Sequence, residues 1–282
     1  MTTTLQAILA NPDGKHSAVP RPPDRLGMKG VIASEWTKLR SVRSTWWTVA
    51  STFAIMIGFG ALLSWAYVSR FDRLDLSERL SFDPTAHALR GLFLAQLAIG
   101  VLGVLAITNE YATGMIRNTF GAVPQRSAVL AAKLTVFGAV ALVVGEVASF
   151  VTFFAGQAIL AQKNIGAGIG DPHVLRAVLG TGVYLAGIGI MGLGLGALLR
   201  RTAGAISALF ALVLVLPILA EALPSPWNTD VIKLLPGGAG QAITAVRQTS
   251  DSLSAGPGLA VFLGYIALIL VAAFLTIERR DA

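Results

Sequence analysis

Six stretches of this chain, at about residues 46–67, 88–108, 128–160, 176–199, 203–223 and 258–277, are long, apolar and nearly free of charge. A helix needs about 20 such residues to cross a hydrocarbon layer of roughly 30 Å. The runs are continuously apolar rather than alternating, which favours helices over a barrel, because a spanning segment must satisfy its own backbone hydrogen bonds. The sequence therefore predicts an all-α integral membrane protein with six transmembrane helices. Composition excludes the soluble alternative: 54% of the 282 residues are hydrophobic and 13% charged, against roughly 25% charged in soluble domains. A single soluble core could not absorb so much apolar surface. The third run exceeds one crossing, so Ser127 to Leu134 is expected to project beyond the bilayer.

Residues 1–27 read differently, as a disordered cytoplasmic tail rich in proline and charge. Its one apolar patch, "LQAILA", is too short for a secretory signal and has no basic residues before it. Orientation follows from the basic residues near the span ends. Lys29, Lys38, Arg40, Arg43, Arg117, Arg126, Lys133, Arg200 and Arg201 fall on one side of a six-span chain, whereas acids balance the bases on the other. Both termini are expected to be cytoplasmic, and the formal charge of +7 belongs to this asymmetry rather than to nucleic-acid binding. The chain has no cysteine, and its three histidines are far apart, so no metal-ligand spacing arises.

Three features inside this frame invite a function. Gly187-x-Gly189-x-x-Gly192 matches the dinucleotide fingerprint in form only, since it lies inside an apolar run with no strand before it. Gly182, Ala186, Gly189, Gly192 and Gly196 instead read as one small-residue stripe that lets another helix approach closely. Residues 28–43, "MKGVIASEWTKLRSVR", predict an interfacial amphipathic helix: Met28, Val31, Ile32, Trp36, Leu39 and Val42 share a face that would lie in acyl chains, with basic residues at the headgroups. Glu146 stands in the third run, where an unpaired carboxylate costs several kcal/mol, roughly. It is a candidate for the substrate pathway, with a protonated carboxyl bonded to a neighbouring helix as the alternative.

The connection after the second run, "ITNEYATGMIRNTF", is unusually rich in polar residues. The sequence predicts a short cytoplasmic helix over 109–120, capped at Thr108 or Asn109. Glu110 and Arg117 lie about two turns apart and would face one partner surface, with Met115, Ile116 and Phe120 supplying apolar contacts. The chain over 28–282 resembles the integral-membrane permeases of ABC-2 type exporters. The likeness rests on "SEWTKLRSVRSTWW" leading into the first span and on "NEYATGMIRNTFGAVPQRSAVLAAK", which is similar to the family's Glu, Gly, Pro-x-Arg and Lys pattern at Glu110, Gly114, Pro124, Arg126 and Lys133. The connection 224–257, with "LLPGGAGQAI", resembles the family's extracellular region, where short helices dip into the membrane.

This resemblance implies a bacterial plasma-membrane export subunit that pairs with a second copy of itself or a related permease, among membrane lipids, and is driven by a separate cytoplasmic ABC ATPase. ATP and Mg would be bound by that partner, in agreement with the lack of a G-x-x-x-x-G-K-[ST] loop in this chain. The resemblance assigns coupling to the segment 109–126, through Glu110, Tyr111, Thr113, Gly114, Met115 and Arg117, and to the interfacial helix, through Glu35, Trp36, Lys38, Leu39 and Arg40. Spans poor in charge suit an amphiphilic or hydrophobic cargo. Two other classes remain open: an intramembrane enzyme, for which Glu146 stands almost alone, and a structural or channel-like protein, which copurification of an ATPase would separate from a transporter.

Overall fold

The computed structural model describes residues 27–249 and 251–279, so nearly all of the expected tail lies outside the described residues. Among the described residues the chain forms α-helices and short helical turns and no strand. It begins with α1 (Met28–Ser41), turns at the extended residue Val42, and enters the long α2 (Arg43–Arg70). Two short helices follow, α3 (Leu76–Ser81) and α4 (Pro84–Ala88). The second of these starts at a well-made cap, in which Asp83 accepts from the amides of Thr85 and Ala86, both at 2.9 Å, while Pro84 fills a position where no amide hydrogen is needed.

The chain then returns through α5 (Leu92–Ala112), breaks at Gly114, and continues as α6 (Met115–Ala122). The longest helix, α7 (Arg126–Leu160), leads across a loop to α8 (Val174–Leu199). Next come α9 (Thr202–Phe210) and α10 (Leu216–Glu221), joined by a π-helical turn at Ala211–Val215. Pro217 explains that turn, because it has no amide hydrogen to give the Val213 carbonyl and the ladder must rearrange before it. Two short helices, α11 (Trp227–Leu234) and α12 (Pro236–Gln241), precede the last helix, α13 (Ala255–Arg279).

Six segments are long and apolar enough to cross a membrane: Arg43–Arg73, Pro84–Ala112, Arg126–Lys163, Val174–Leu199, Thr202–Glu221 and Ala255–Arg279. Each overlaps one of the runs read from sequence. The second extends past its expected end, through Glu110, and the reason is that this glutamate is neutralised by lysines from two other helices.

The centre of the bundle is α8, 78% of whose apolar window is buried, against 28% for α13 and 22% for α2. Glycine makes this possible, since α8 is approached closely from three sides. A methyl group on Gly103 of α5 would run into the carbonyl of Gly189, and one on Gly192 into that of Gly100. Gly187 and Gly194 lie against Phe262, Ile266 and Ile269 of α13. The expectation of a single stripe is therefore corrected. Gly192 and Gly196 face α5 and Ala186 is buried, but Gly189 lies between Phe137 of α7 and Ile99 of α5, and Gly182 lies under Glu146 of α7. Small residues spaced by sevens, threes and fours drift around a 3.6-residue helix, so their line passes from one neighbour to the next. Between α8 and α13, α12 is also packed in, with Gly240 against the rings of Tyr184 and Phe262.

Candidate functional site

Four charged side chains from three separate stretches of the sequence meet where α1, α5, α6 and α7 converge. Lys133 of α7 donates to Glu35 of α1 at 2.5 Å and to Glu110 of α5 at 2.7 Å. Lys38, one turn after Glu35 on α1, donates to Glu35 at 2.7 Å and to the Thr119 hydroxyl of α6 at 3.2 Å, and lies 3.3 Å from Glu110. The side chains of Glu35, Glu110 and Lys133 are only 2%, 4% and 6% exposed. Two acids and two bases close a ring of zero net charge, the condition under which ionised groups tolerate removal from water.

The electrostatics of Lys38 reflect that balance. Burial works against its charge, but its bond to Glu35 and the nearby Glu110 carboxylate outweigh this and hold the ammonium above the ordinary lysine value of 10.5. A cavity of about 70 Å³ adjoins the ring, lined also by Leu39, Thr45, Leu102, Asn109 and Val136. Glu110 Oε2 is buried with no hydrogen-bond partner among the described residues. A space of this size accommodates water, and the unbonded oxygen supplies one of the polar contacts such water needs.

The break between α5 and α6 is local chemistry. Gly114 adopts φ +71°, a left-handed conformation that side-chain-bearing residues reach at a cost, and its amide donates to the Tyr111 carbonyl at 3.3 Å. The Thr113 hydroxyl donates back to the Asn109 carbonyl at 2.8 Å, bonding within the last turn of α5. From this elbow α6 packs inward through Ile116 and Phe120, while Thr113, Met115, Arg117 and Asn118 remain exposed.

Several expectations are corrected here. Residues 109–120 are not one helix: α5 runs on to Ala112, and the cap of α6 is Gly114 rather than Thr108 or Asn109. Glu110 and Arg117 do not share an outward surface, because Glu110 is buried in the ring and Arg117 is exposed. Ile116 and Phe120 belong to the protein's own core, and only Met115 of the three apolar residues is open, at 40% exposure. Tyr111 is half-buried, with the Arg200 guanidinium 5.3 Å from its ring centre. On α1 the stripe turned toward the protein is Val31, Glu35 and Lys38; Trp36 and Arg40 are exposed and Leu39 is half-buried. A wheel assigns charge to the outside, and here the neutral ring reverses that. Lys133, expected on a projecting end of α7, is buried among α1 and α5.

Glu146 stands apart from this ring. Its carboxyl lies across Gly182 of α8, and its Oε2 has no hydrogen-bond partner among the described residues. Beside it on α7 the side chains of Val143, Val147 and Val151 are exposed.

The residues that build the ring and the elbow fall inside a segment of recognised kinship. The pattern that defines the ABC-2 family transporter proteins matches residues 31–219, well over half of the chain. This chain belongs to the ABC-2 family of transporter membrane proteins. It is accordingly a multi-pass membrane protein and a permease-type transport subunit, of a family that generally does not itself catalyse. The family usually works with an ABC ATPase and often dimerises. Among curated proteins no match to the chain is found. Glu110 and Lys133, singled out by the family-like pattern in the sequence, prove to bond directly to each other. What sequence reasoning missed is that the other two members, Glu35 and Lys38, complete the same ring. The available signal was one of stoichiometry: two acids and two lysines, each near the same end of a span.

Proposed function

We propose that this ABC-2 permease subunit is driven by a separate cytoplasmic ABC ATPase that engages the α5–α6 elbow, and that it exports an amphiphilic or hydrophobic cargo by alternating access. The observation that carries this reading is the buried ring. It fastens α1, α5 and α7 to one another and reaches α6 through Thr119, so a push on α6 is passed to two spans and to the helix preceding a third. A packed junction of this kind can pass a small displacement at one site on as helix motion elsewhere.

On this reading both termini are cytoplasmic, α1 lies along the inner membrane surface with Trp36 toward the lipid, and the chain acts as a dimer with itself or a related permease in a bacterial plasma membrane. The partner ATPase supplies the ATP and Mg site. Its docking face on this chain is Thr113, Gly114, Met115, Arg117 and Asn118, with Arg117 meeting an acidic residue of the partner; Glu110, Tyr111 and Glu35 transmit motion from behind that face. Glu146, an uncompensated carboxyl at the α7–α8 contact, is the span residue whose surroundings would change most if those helices moved apart, which supports a place on the cargo pathway.

The test is Arg117→Glu in the full chain, assayed with the ATPase in lipid nanodiscs. Because Arg117 is exposed, folding and melting temperature should be retained. Association with the ATPase and stimulation of its hydrolysis should fall several-fold, more at low salt than at high salt, as for a charge at an interface rim. Wild-type association and stimulation at both salt concentrations would remove the elbow from the docking surface.

A further inference from the structure

At the end of the bundle opposite the charge ring, a cavity of about 730 Å³ opens between α2, the start of α5 and the chain around α12. The two sites are at opposite ends because the ring involves the last turns of α5, whereas this cavity is bordered by Leu89, Leu92 and Phe93 at its beginning. Its volume falls within the range of about 300–1,000 Å³ common to small-molecule sites.

The lining is sharply divided in chemistry. Phe59 and Leu63 of α2, with Leu89, Leu92 and Phe93, make an apolar wall that reaches to the middle of α2. At the mouth stand Arg90 and Arg247, with Thr244 beside them, and none of the lining residues is acidic. Arg90 is exposed and makes no hydrogen bond or ion pair with any described residue. Arg247 spends one N–H on the Leu80 carbonyl, at 3.3 Å, leaving the rest of its guanidinium to face outward.

We propose that this cavity binds a lipid-like amphiphile with an anionic headgroup, its chain along Phe59, Leu63 and Phe93 and its headgroup held by Arg90 and Arg247. Two guanidiniums without carboxylate partners, at the rim of an apolar space inside a membrane protein, match a phosphate or carboxylate joined to an alkyl chain. A neutral or cationic headgroup would leave both uncompensated. Binding of this kind does not depend on the proposed export function; only its reading as a station on the cargo's route rests on that proposal.

The experiment measures binding alone, on the purified full chain in nanodiscs of zwitterionic lipid. Dodecyl phosphate, dodecyl maltoside and dodecyltrimethylammonium are titrated against the wild type, Arg90→Gln and Arg247→Gln. Dodecyl phosphate should bind the wild type at least about tenfold tighter than the other two. Each substitution should weaken it by about tenfold, the size of one charge-assisted hydrogen bond, while dodecyl maltoside binding stays constant and reports that the variant is folded. Equal affinity for all three headgroups, or unchanged dodecyl phosphate binding in Arg90→Gln, overturns the proposal. A second arm adds phosphatidylglycerol to the nanodiscs: if it displaces dodecyl phosphate, the occupant comes from the bilayer, and if it does not, the site takes free amphiphile. Loss of ATPase coupling in Arg117→Glu alongside intact dodecyl phosphate binding would show that the two readings stand separately.

Discussion

Removing Lys133 is the most informative single perturbation of this protein. Lys133 bonds to both acids of the ring, at 2.5 and 2.7 Å, whereas Lys38 lies 2.7 Å from Glu35 but 3.3 Å from Glu110. Lys133→Met keeps most of the side-chain volume and deletes the charge, so the ring passes from neutral to one excess negative charge with two carboxylates still buried. Stranding a charge in this way costs about 3–5 kcal/mol, a large share of the roughly 5–15 kcal/mol that holds most domains folded. The loss should appear as a large drop in melting temperature in detergent or nanodiscs.

The double variant Lys133→Met with Glu110→Gln distinguishes charge from packing. It restores one acid against one base, so the double should be more stable than Lys133→Met alone, with a coupling of about 1–3 kcal/mol between the two sites. Neutral pH is the right condition. The folded-state value of Lys38 is raised above 10.5, so its contribution is fully present below 10.5 and is lost only as pH rises through that raised value. If Lys133→Met melts with the wild type, or if the double variant is as unstable as the sum of the singles, the ring is not a closed electrostatic unit.

Two further substitutions probe the backbone. Gly114→Ala should cost about 1–2 kcal/mol through its left-handed φ of +71° alone, since an added methyl there meets nothing within 4 Å, whereas Gly121→Ala, in equally open space on a helical backbone, should be neutral or slightly stabilising in the same thermal melt. Gly103→Ala should be more damaging than either, because its methyl would fall on the Gly189 carbonyl and push α5 from α8; a wild-type melting temperature would contradict the close packing of these helices.

The spans were legible because lipid imposes a length and a continuity that no local packing can disguise. Each of the six candidate helices overlaps a run read from the sequence. The elbow was half legible: Gly114 stood out as an interruption, but a glycine in a polar segment does not say whether the helix passes through it, and here the left-handed turn at that residue ends one helix and caps another. The ring was illegible as a pairing. Glu35 and Lys133 are 98 positions apart, and a charged residue near a span end reads by default as solvated. The same default placed Glu110 on the outer surface and Ile116 and Phe120 in a partner's groove, when the three-dimensional arrangement turns all of them inward.

The distribution of rigidity along the bundle constrains how any motion must run. At one end, charge-assisted hydrogen bonds shorter than 3 Å, the strong kind, tie α1, α5 and α7 together. In the middle, α5 meets α8 through Gly100, Gly103, Gly189 and Gly192, where backbone lies on backbone, with Ile99, Ile107 and Ile188 packed beside them and the Tyr184 hydroxyl of α8 donating to Gln96 of α5. At the other end, Gly91, just before α5, lies on the backbone of Met56 of α2, and the Arg90 cavity opens between this contact and the chain around α12. A displacement delivered at the elbow therefore meets stiff coupling first, then a close-packed seam that ties α5 to α8, and finally a cavity walled in part by α2 and the start of α5. On the proposed function this order has a consequence for the ring: its salt bridges need not break for the far cavity to change volume, because α5 itself runs from the ring at Glu110 to the cavity wall at Leu92 and Phe93. Transport would then tolerate a ring that is strong, and weakening it by Lys133→Met would cost stability and coupling together rather than stability alone.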